Sequence, residues 1–354
     1  MPTVPANSGA RVLVTGANGY IAMWVIRTLL EQGYRVRGAV RSEEKGKHLK
    51  EYFSKYGDKV EWTIVPDITK EGAFDEAVKG VEAIEHTASP LPSSAPDPDE
   101  TIKPAVQGTL SVLQSALKYG SDVKRVVLTS SAGAIINPVT EPTAVFDESH
   151  WADAYLKDIK EKGKDNPAIV KYRASKVLAE RAAWDFYKEH KGSIGWDLVA
   201  LNPPLEPLQR VDTPENLNSS LEMWWKHIAL EQPDDVLKGT YGYIDVRDVA
   251  AAHVVSLQKD AAGGERIIVA NGATTWQETR NFIYSIRPDL YSSDVFPRGN
   301  PELEKSLLFI YNPEKGNRIL GLKYHAFEEM ISDMLDYFDA RGWLKPKNDA
   351  QCSV

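Results

Sequence analysis

Cysteine is almost missing from this chain. Cys352 is the only one in 354 residues and lies in a polar tail, so no intrachain disulfide can form. Long apolar runs are missing too; none approaches the roughly 18 residues that a membrane span requires. Met1–Gly9 has neither the basic start nor the apolar core of a signal peptide. These absences predict a cytoplasmic protein in a reducing compartment. There is no basic excess: 42 Lys and Arg stand against 50 Asp and Glu, a formal charge of −8. That balance argues against a nucleic acid or an anionic membrane as partner. The seven histidines are scattered and none forms an HxxxH pair, so no metal site is expected. Internal repeats and low-complexity tracts are also lacking.

What is present suits a globular chain. Hydrophobic residues make up 42% and charged residues 26% of a length sufficient for a large core and two lobes. The most informative stretch is Val12–Ala22, VLVTGANGYIA. Val12, Leu13 and Val14 read as a buried strand, Gly16 and Gly19 break the chain, and Tyr20–Gln32 continues at helical spacing. Strand, glycine turn and helix in that order point to a dinucleotide site. Gly16 permits the tight turn, Gly19 lets backbone approach a pyrophosphate, and Ala22 lets the helix lie close to the strand. The helix N-terminus favours the anion.

Further strands are predicted at Tyr34–Arg41, Val60–Val65, Val81–Ala88, Val123–Thr129 and Asp197–Leu201, with another at Arg266–Ala270. Helices are expected between them at Glu44–Lys55, Glu71–Lys79, Thr101–Tyr119 and Ala168–Glu189, and from Asp248 to Lys259. Such alternation implies an α/β fold with a doubly wound, parallel Rossmann-type sheet, whose ligands sit beyond the strands' carboxyl ends. A smaller helix-rich C-terminal substrate lobe should follow, with helices at Thr275–Ile286 and Ala326–Arg341 and an extended piece near Ser306–Tyr311. The expected division is 1–202 with roughly 240–272 for the dinucleotide, and 203–239 with 273–354 for the substrate.

Strand two ends Arg37-Gly38-Ala39-Val40-Arg41, with no acid where an NAD enzyme holds the ribose hydroxyls. Arg41 and Lys45 stand there instead, suited to a 2′-phosphate; the alternative is a solvated charged corner. Asp67 either bonds an adenine amino group or caps the next turn. Tyr172 and Lys176, at i and i+4, share one helix face, and Ser130-Ser131 directly follow strand five.

With these residues placed, the chain resembles the extended short-chain dehydrogenases/reductases from about Arg11 to Arg341. Within them it is most similar to fungal carbonyl reductases of the methylglyoxal/isovaleraldehyde and aldehyde reductase group, related to plant dihydroflavonol reductases. The resemblance lies in TGANGYIA (Thr15–Ala22), RSEEK (Arg41–Lys45), IVPDI (Ile64–Ile68), HTASP (His86–Pro90), VVLTSS (Val126–Ser131), YRASK (Tyr172–Lys176) and YIDVRDVAAAH (Tyr243–His253). It implies Ser131, Tyr172 and Lys176 as catalytic residues and NADPH/NADP as cofactor. Cofactor contacts are expected from Gly16, Asn18, Gly19, Tyr20, Ile21, Arg41, Lys45, Asp67, Ile68, Ala88, Ser89, Thr129, Tyr172, Lys176 and Pro203. A substrate pocket is expected at Leu91, Ala132, Pro204, Leu205, Met223 and Trp224, beneath a lid at Leu205–Ile228. Core anchoring of the second lobe is the alternative for Trp224 and Trp225.

The implied activity is reduction of a small aldehyde or ketone by a monomer or homodimer, with Tyr172 donating the proton. Alternatives are a hydroxysteroid dehydrogenase or sugar-nucleotide epimerase on the same scaffold, or a non-catalytic NADP(H)-sensing regulator, which commonly lacks the tyrosine or lysine present here. Two departures stand out. Glu85 occupies a strand position that is usually aliphatic, where a buried carboxylate needs a partner. Pro204-Leu205-Glu206-Pro207 replaces a longer stretch that usually reaches a Gly-Pro.

Overall fold

The computed structural model describes residues 2–89, 96–205 and 219–345. Strands run in chain order as β1 (Arg11–Thr15), β2 (Arg35–Val40), β3 (Val60–Ile64), β4 (Ala83–His86), β5 (Arg125–Thr129), β6 (Ala144–Phe146), β7 (Asp197–Asn202), β8 (Thr240–Tyr243), β9 (Arg266–Ile268), β10 (Gly272–Thr275) and β11 (Phe309–Tyr311). Seven of them form a parallel sheet in the order β3-β2-β1-β4-β5-β7-β9. The chain moves outward from β1 to β3, then returns to place β4 on the other side of β1, with Thr15 opposite His86. The crevice beyond the strand ends at this reversal is where doubly wound sheets bind ligands.

The apolar strands are continuous because both faces are covered. Val12 and Val14 turn to one side and pack with Met23, Ile26 and Leu29 of the helix Tyr20–Glu31 and with Val249 of the helix Val246–Gln258. Leu13 turns to the other side, joining Ile84, Val126 and Leu198 beneath the helices Asp99–Tyr119 and Ala168–His190. Each fully buried aliphatic side chain contributes about 1.5–3 kcal/mol, so this double layer makes the sheet a rigid platform.

One expectation about local structure needs correction, and one element was not foreseen. Glu71–Lys79 is a run of turns rather than a helix, and Gly72, at φ +74°, interrupts any helical path there. Ala144–Phe146, which has no marked strand signal, pairs in parallel with Phe309–Tyr311. This two-stranded sheet brings the C-terminal half of the chain against the half that carries Tyr172 and Lys176. A second pair, β8 with β10, is antiparallel.

The C-terminal lobe is built on the helices Ser219–Ala229, Trp276–Ile286 and Phe327–Ala340. Leu221, Trp224, Ile283, Met330 and Phe338 belong to the same hydrophobic cluster as Val12 and Val14. The two lobes therefore share one core. Among the described residues no helix is long and apolar enough to cross a membrane, and no group of His, Cys, Asp and Glu could hold a metal ion.

Candidate functional site

The turn after β1 is a backbone structure. Gly16 has φ +63°, and a Cβ there would stand 2.9 Å from Ala88 Cα, closer than real Cβ atoms come. Gly19 N–H donates to Gly16 O at 2.7 Å and closes the turn. Tyr20–Glu31 then begins with no side-chain cap and no acidic residue in its first turn. An uncapped helix start of this kind attracts an anion. Asn18, Gly19, Tyr20 and Ile21 line a cavity of about 1420 Å³ that spans the strand ends.

Arg41 and Lys45 are exposed at one end of this cavity, and neither pairs with a carboxylate among the described residues. Asp67 lies nearby, bordered by Ile68. Its Oδ1 accepts from Thr69 N at 2.9 Å and Thr69 Oγ1 at 2.7 Å, so it caps the turn after β3. Those two hydrogen bonds hold its carboxyl below the usual aspartate range.

The other end gathers the remaining polar residues. The helix Ala168–His190 brings Tyr172 and Lys176 to the cavity, and the Lys176 ammonium lies 5.7 Å from the centre of the Tyr172 ring. Lys176 Nζ donates to Ser89 Oγ at 3.0 Å. The two adjacent serines are turned to different uses. Ser130 Oγ donates to the buried Glu180 at 2.6 Å, whereas Ser131 Oγ accepts from Gly133 N at 3.0 Å beside Tyr172. Ser131 thus keeps its own O–H for a ligand. Ala88, Thr129 and Pro203 complete this wall.

Glu180 holds the wall in place. It lies on the same helix as Tyr172 and Lys176 and accepts from Ser130, from Asn202 Nδ2 (2.8 Å) and from Arg266 Nε (2.6 Å). Asn202 also donates to Ser131 O at 3.1 Å, tying the serine loop to the helix Ala168–His190 through one buried carboxylate. Such a buried network fixes relative positions.

Glu85 finds the partner that its burial demands. Its Oε2 lies 2.7 Å from His253 Nδ1, and His253 Nε2 lies 3.0 Å from Thr129 Oγ1. Burial pushes the Glu85 carboxyl upward against the pull of His253. One residue on, His86 is paired through Nδ1 with Thr15 Oγ1 at 2.9 Å, and Nε2 has no partner among the described residues. Burial, reinforced by the Lys176 charge, pushes the His86 imidazole down to about 3, so it stays neutral.

Ala132, Pro204, Leu205 and Met223 line the cavity as expected for a substrate pocket. Trp224 does not. It is 0% exposed, turned inward against Phe338 at 6.0 Å between ring centres, because its position on the helix Ser219–Ala229 faces the lobe's core. Met223, next to it, is 39% exposed and takes the cavity side. Leu91 and most of the expected lid, 206–218, lie outside the described residues. Arg173, Phe309 and Tyr311 also line the cavity. Arg173 adjoins Tyr172 and could have been noticed, but nothing local in the sequence marks Phe309 or Tyr311.

A model of the NAD dependent epimerase/dehydratase family matches residues 12–270. The chain belongs to that family. This member is 34% identical over 334 residues to the NADPH-dependent methylglyoxal reductase GRE2 of Saccharomyces cerevisiae, covering 91% of this chain and 96% of that one. It is 32% identical over 339 residues to the ketoreductase azaE of Aspergillus niger, with 91% and 96% covered. Its fold superposes on yeast methylglyoxal/isovaleraldehyde reductase Gre2 complexed with NADPH at a TM-score of 0.84 and 32% identity, covering 94% of this chain and 99% of that chain. It is thus an extended short-chain dehydrogenase/reductase, similar to fungal reductases.

Proposed function

We infer that this chain is an NADPH-dependent carbonyl reductase that converts aldehydes or ketones to alcohols. The observation that carries this reading is a single cavity joining the glycine turn and the Arg41–Lys45 pair to Ser131, Tyr172 and Lys176. The fit to a dinucleotide rests on the turn itself, where a Cβ at Gly16 would collide with Ala88 and the helix start has no cap. Gly16–Ile21 would hold the pyrophosphate, and Arg41 with Lys45 the 2′-phosphate. Asp67 and Ile68 would border the adenine, and Ala88, Ser89, Thr129 and Pro203 the nicotinamide half. When bound, NADPH supplies the hydride.

The protein's own task is to receive a carbonyl oxygen that becomes an alkoxide. Tyr172 donates the proton to that oxygen. A phenol with an ordinary pKa of about 10 gives up its proton slowly near neutrality, so the Lys176 ammonium stabilises the phenolate left behind. Ser131 donates a second hydrogen bond to the same oxygen. Glu180 and Asn202 act through Ser131 and the helix as positioning residues. Residues 1–202 with 240–272 are assigned to the cofactor half and 203–239 with 273–354 to the substrate half; Pro204, Leu205 and Met223 of the latter, with Ala132 of the former, meet the substrate.

The test is NADPH oxidation with a panel of aldehydes, ketones and ketoesters, on the parent and on Tyr172→Phe. Loss of the general acid should cost about 10²–10⁴-fold in turnover while NADPH affinity is kept. Turnover within about threefold of the parent would remove Tyr172 from this role.

A further inference from the structure

Of the cationic side chains that line the cavity, one has no task in holding the dinucleotide or in serving Tyr172. Arg41, Lys45, Arg173 and Lys176 line it, and Asp67 is the only acid among the described lining residues. Asp67, Arg41 and Lys45 sit together beyond β2 and β3, and Lys176 serves Tyr172. Arg173 is left over.

Its placement is specific. Gly133 has no side chain, and a Cβ there would stand 3.2 Å from Ser131 Oγ, 3.4 Å from Arg173 Cγ and 3.7 Å from Tyr172 Cε1. Three side chains of the substrate end therefore converge on one glycine. The Arg173 guanidinium donates through Nη1 to Tyr155 Oη and lies 4.9 Å from that ring's centre, but no carboxylate pairs with it among the described residues. A guanidinium has five N–H donors in a planar fork, so most of them remain for a ligand.

A second donor comes from the far end of the chain. Tyr311, on β11, is 8% exposed and lines the cavity. Its ring packs with Ala132 and Ile136, and it covers Gly242, where a Cβ would come within 2.6 Å of its hydroxyl. That hydroxyl has no hydrogen-bond partner among the described residues, although it is close enough to feel the Arg173 charge. Burial pushes the phenol above its ordinary pKa and keeps it a neutral O–H donor. Tyr311 borders the cavity, where a ligand oxygen can accept a hydrogen bond from its hydroxyl.

We propose that Arg173 and Tyr311 bind a carboxylate on the substrate, making oxo acids the preferred substrate class. The guanidinium offers a forked contact to the planar carboxylate and Tyr311 a further O–H, while the oxo group faces Tyr172 and Ser131. This rests on the carbonyl-reductase reading and deepens it.

The experiment compares each oxo acid with its own ethyl ester, 2-oxobutanoate and 3-oxobutanoate serving as the acids, under NADPH-dependent turnover by the full chain. The parent should favour at least one acid over its ester in kcat/KM. Arg173→Ala should lower that acid-to-ester ratio roughly ten- to hundredfold, chiefly through the KM of the acid. Arg173→Lys should restore part of it, and Tyr311→Phe should lower it by a smaller factor. Without cofactor, 3-hydroxybutanoate should raise the thermal midpoint of the parent more than that of Arg173→Ala. An ester preference in the parent, or a ratio that neither Arg173→Ala nor Tyr311→Phe moves, would overturn the proposal while leaving carbonyl reduction intact. A folded, NADPH-binding parent inert toward acids, esters and simple aldehydes alike would overturn both.

Discussion

Gly16→Ala tests the cofactor turn where its geometry is most demanding. An alanine at φ +63° takes a left-handed backbone, which costs an L-residue about 1–2 kcal/mol. Its methyl would also lie 2.9 Å from Ala88 Cα and 3.2 Å from Ala88 N. These are backbone atoms at the end of β4, so no side chain can swing away, and forced overpacking typically adds about 1–3 kcal/mol. The expected loss is about 2–5 kcal/mol. Gly321→Ala supplies the control, since Gly321 has φ +65° and nothing within 4 Å of its would-be Cβ. It should cost only the backbone part, about 1–2 kcal/mol. Urea unfolding followed by tryptophan fluorescence compares the two, and NADPH titration of the folded variants reads the function. Displacing Ala88 opens the cradle, so NADPH affinity should fall more than about tenfold in Gly16→Ala and stay unchanged in Gly321→Ala. Equal stability losses with equal NADPH affinities would refute the reasoning.

Three further outcomes are expected. Arg41→Ala should raise the KM for NADPH roughly 10- to 100-fold, with little change in kcat and little effect on NADH; equal changes for the two cofactors would make Arg41 a surface charge. His86 should make stability depend on pH, because its pKa is lowered on folding from 6.5 to about 3. Above about pH 6.5 folded and unfolded chains are both neutral there, and as the pH falls only the unfolded chain gains the proton. Stability should therefore drop by up to about 1.4 kcal/mol per pH unit below 6.5, and urea midpoints between pH 7 and 5 should show a shallower slope in His86→Asn. Trp224→Ala should cost about 3–5 kcal/mol as a core deletion while the rank order of ketone rates holds; a changed rank order at parental stability would return Trp224 to the pocket.

The order of elements, the parallel sheet and the glycine turn were legible in the sequence, because each is written in local contrast. The central strands β1, β5 and β7 are largely apolar since helices cover both faces, Gly16 and Gly19 interrupt the pattern where strand meets helix, and Tyr172 and Lys176 share a face at i, i+4 spacing. Local contrast misleads where one backbone angle overrides it, as at Gly72 within the helical-looking Glu71–Lys79. It is silent where partners are remote. Nothing near Glu85 announces His253, and only the packing of the helix Val246–Gln258 against the sheet makes that burial tolerable. Of Met223 and Trp224, neighbours on one helix, which faces the cavity and which the core depended on how the helix Phe327–Ala340 docks. Tyr311 reaches the cavity only because β11 pairs with β6, a strand of three residues without a pattern of its own. Periodicity reports how much of a side chain is covered, but which groups meet across the chain is set by how the elements pack.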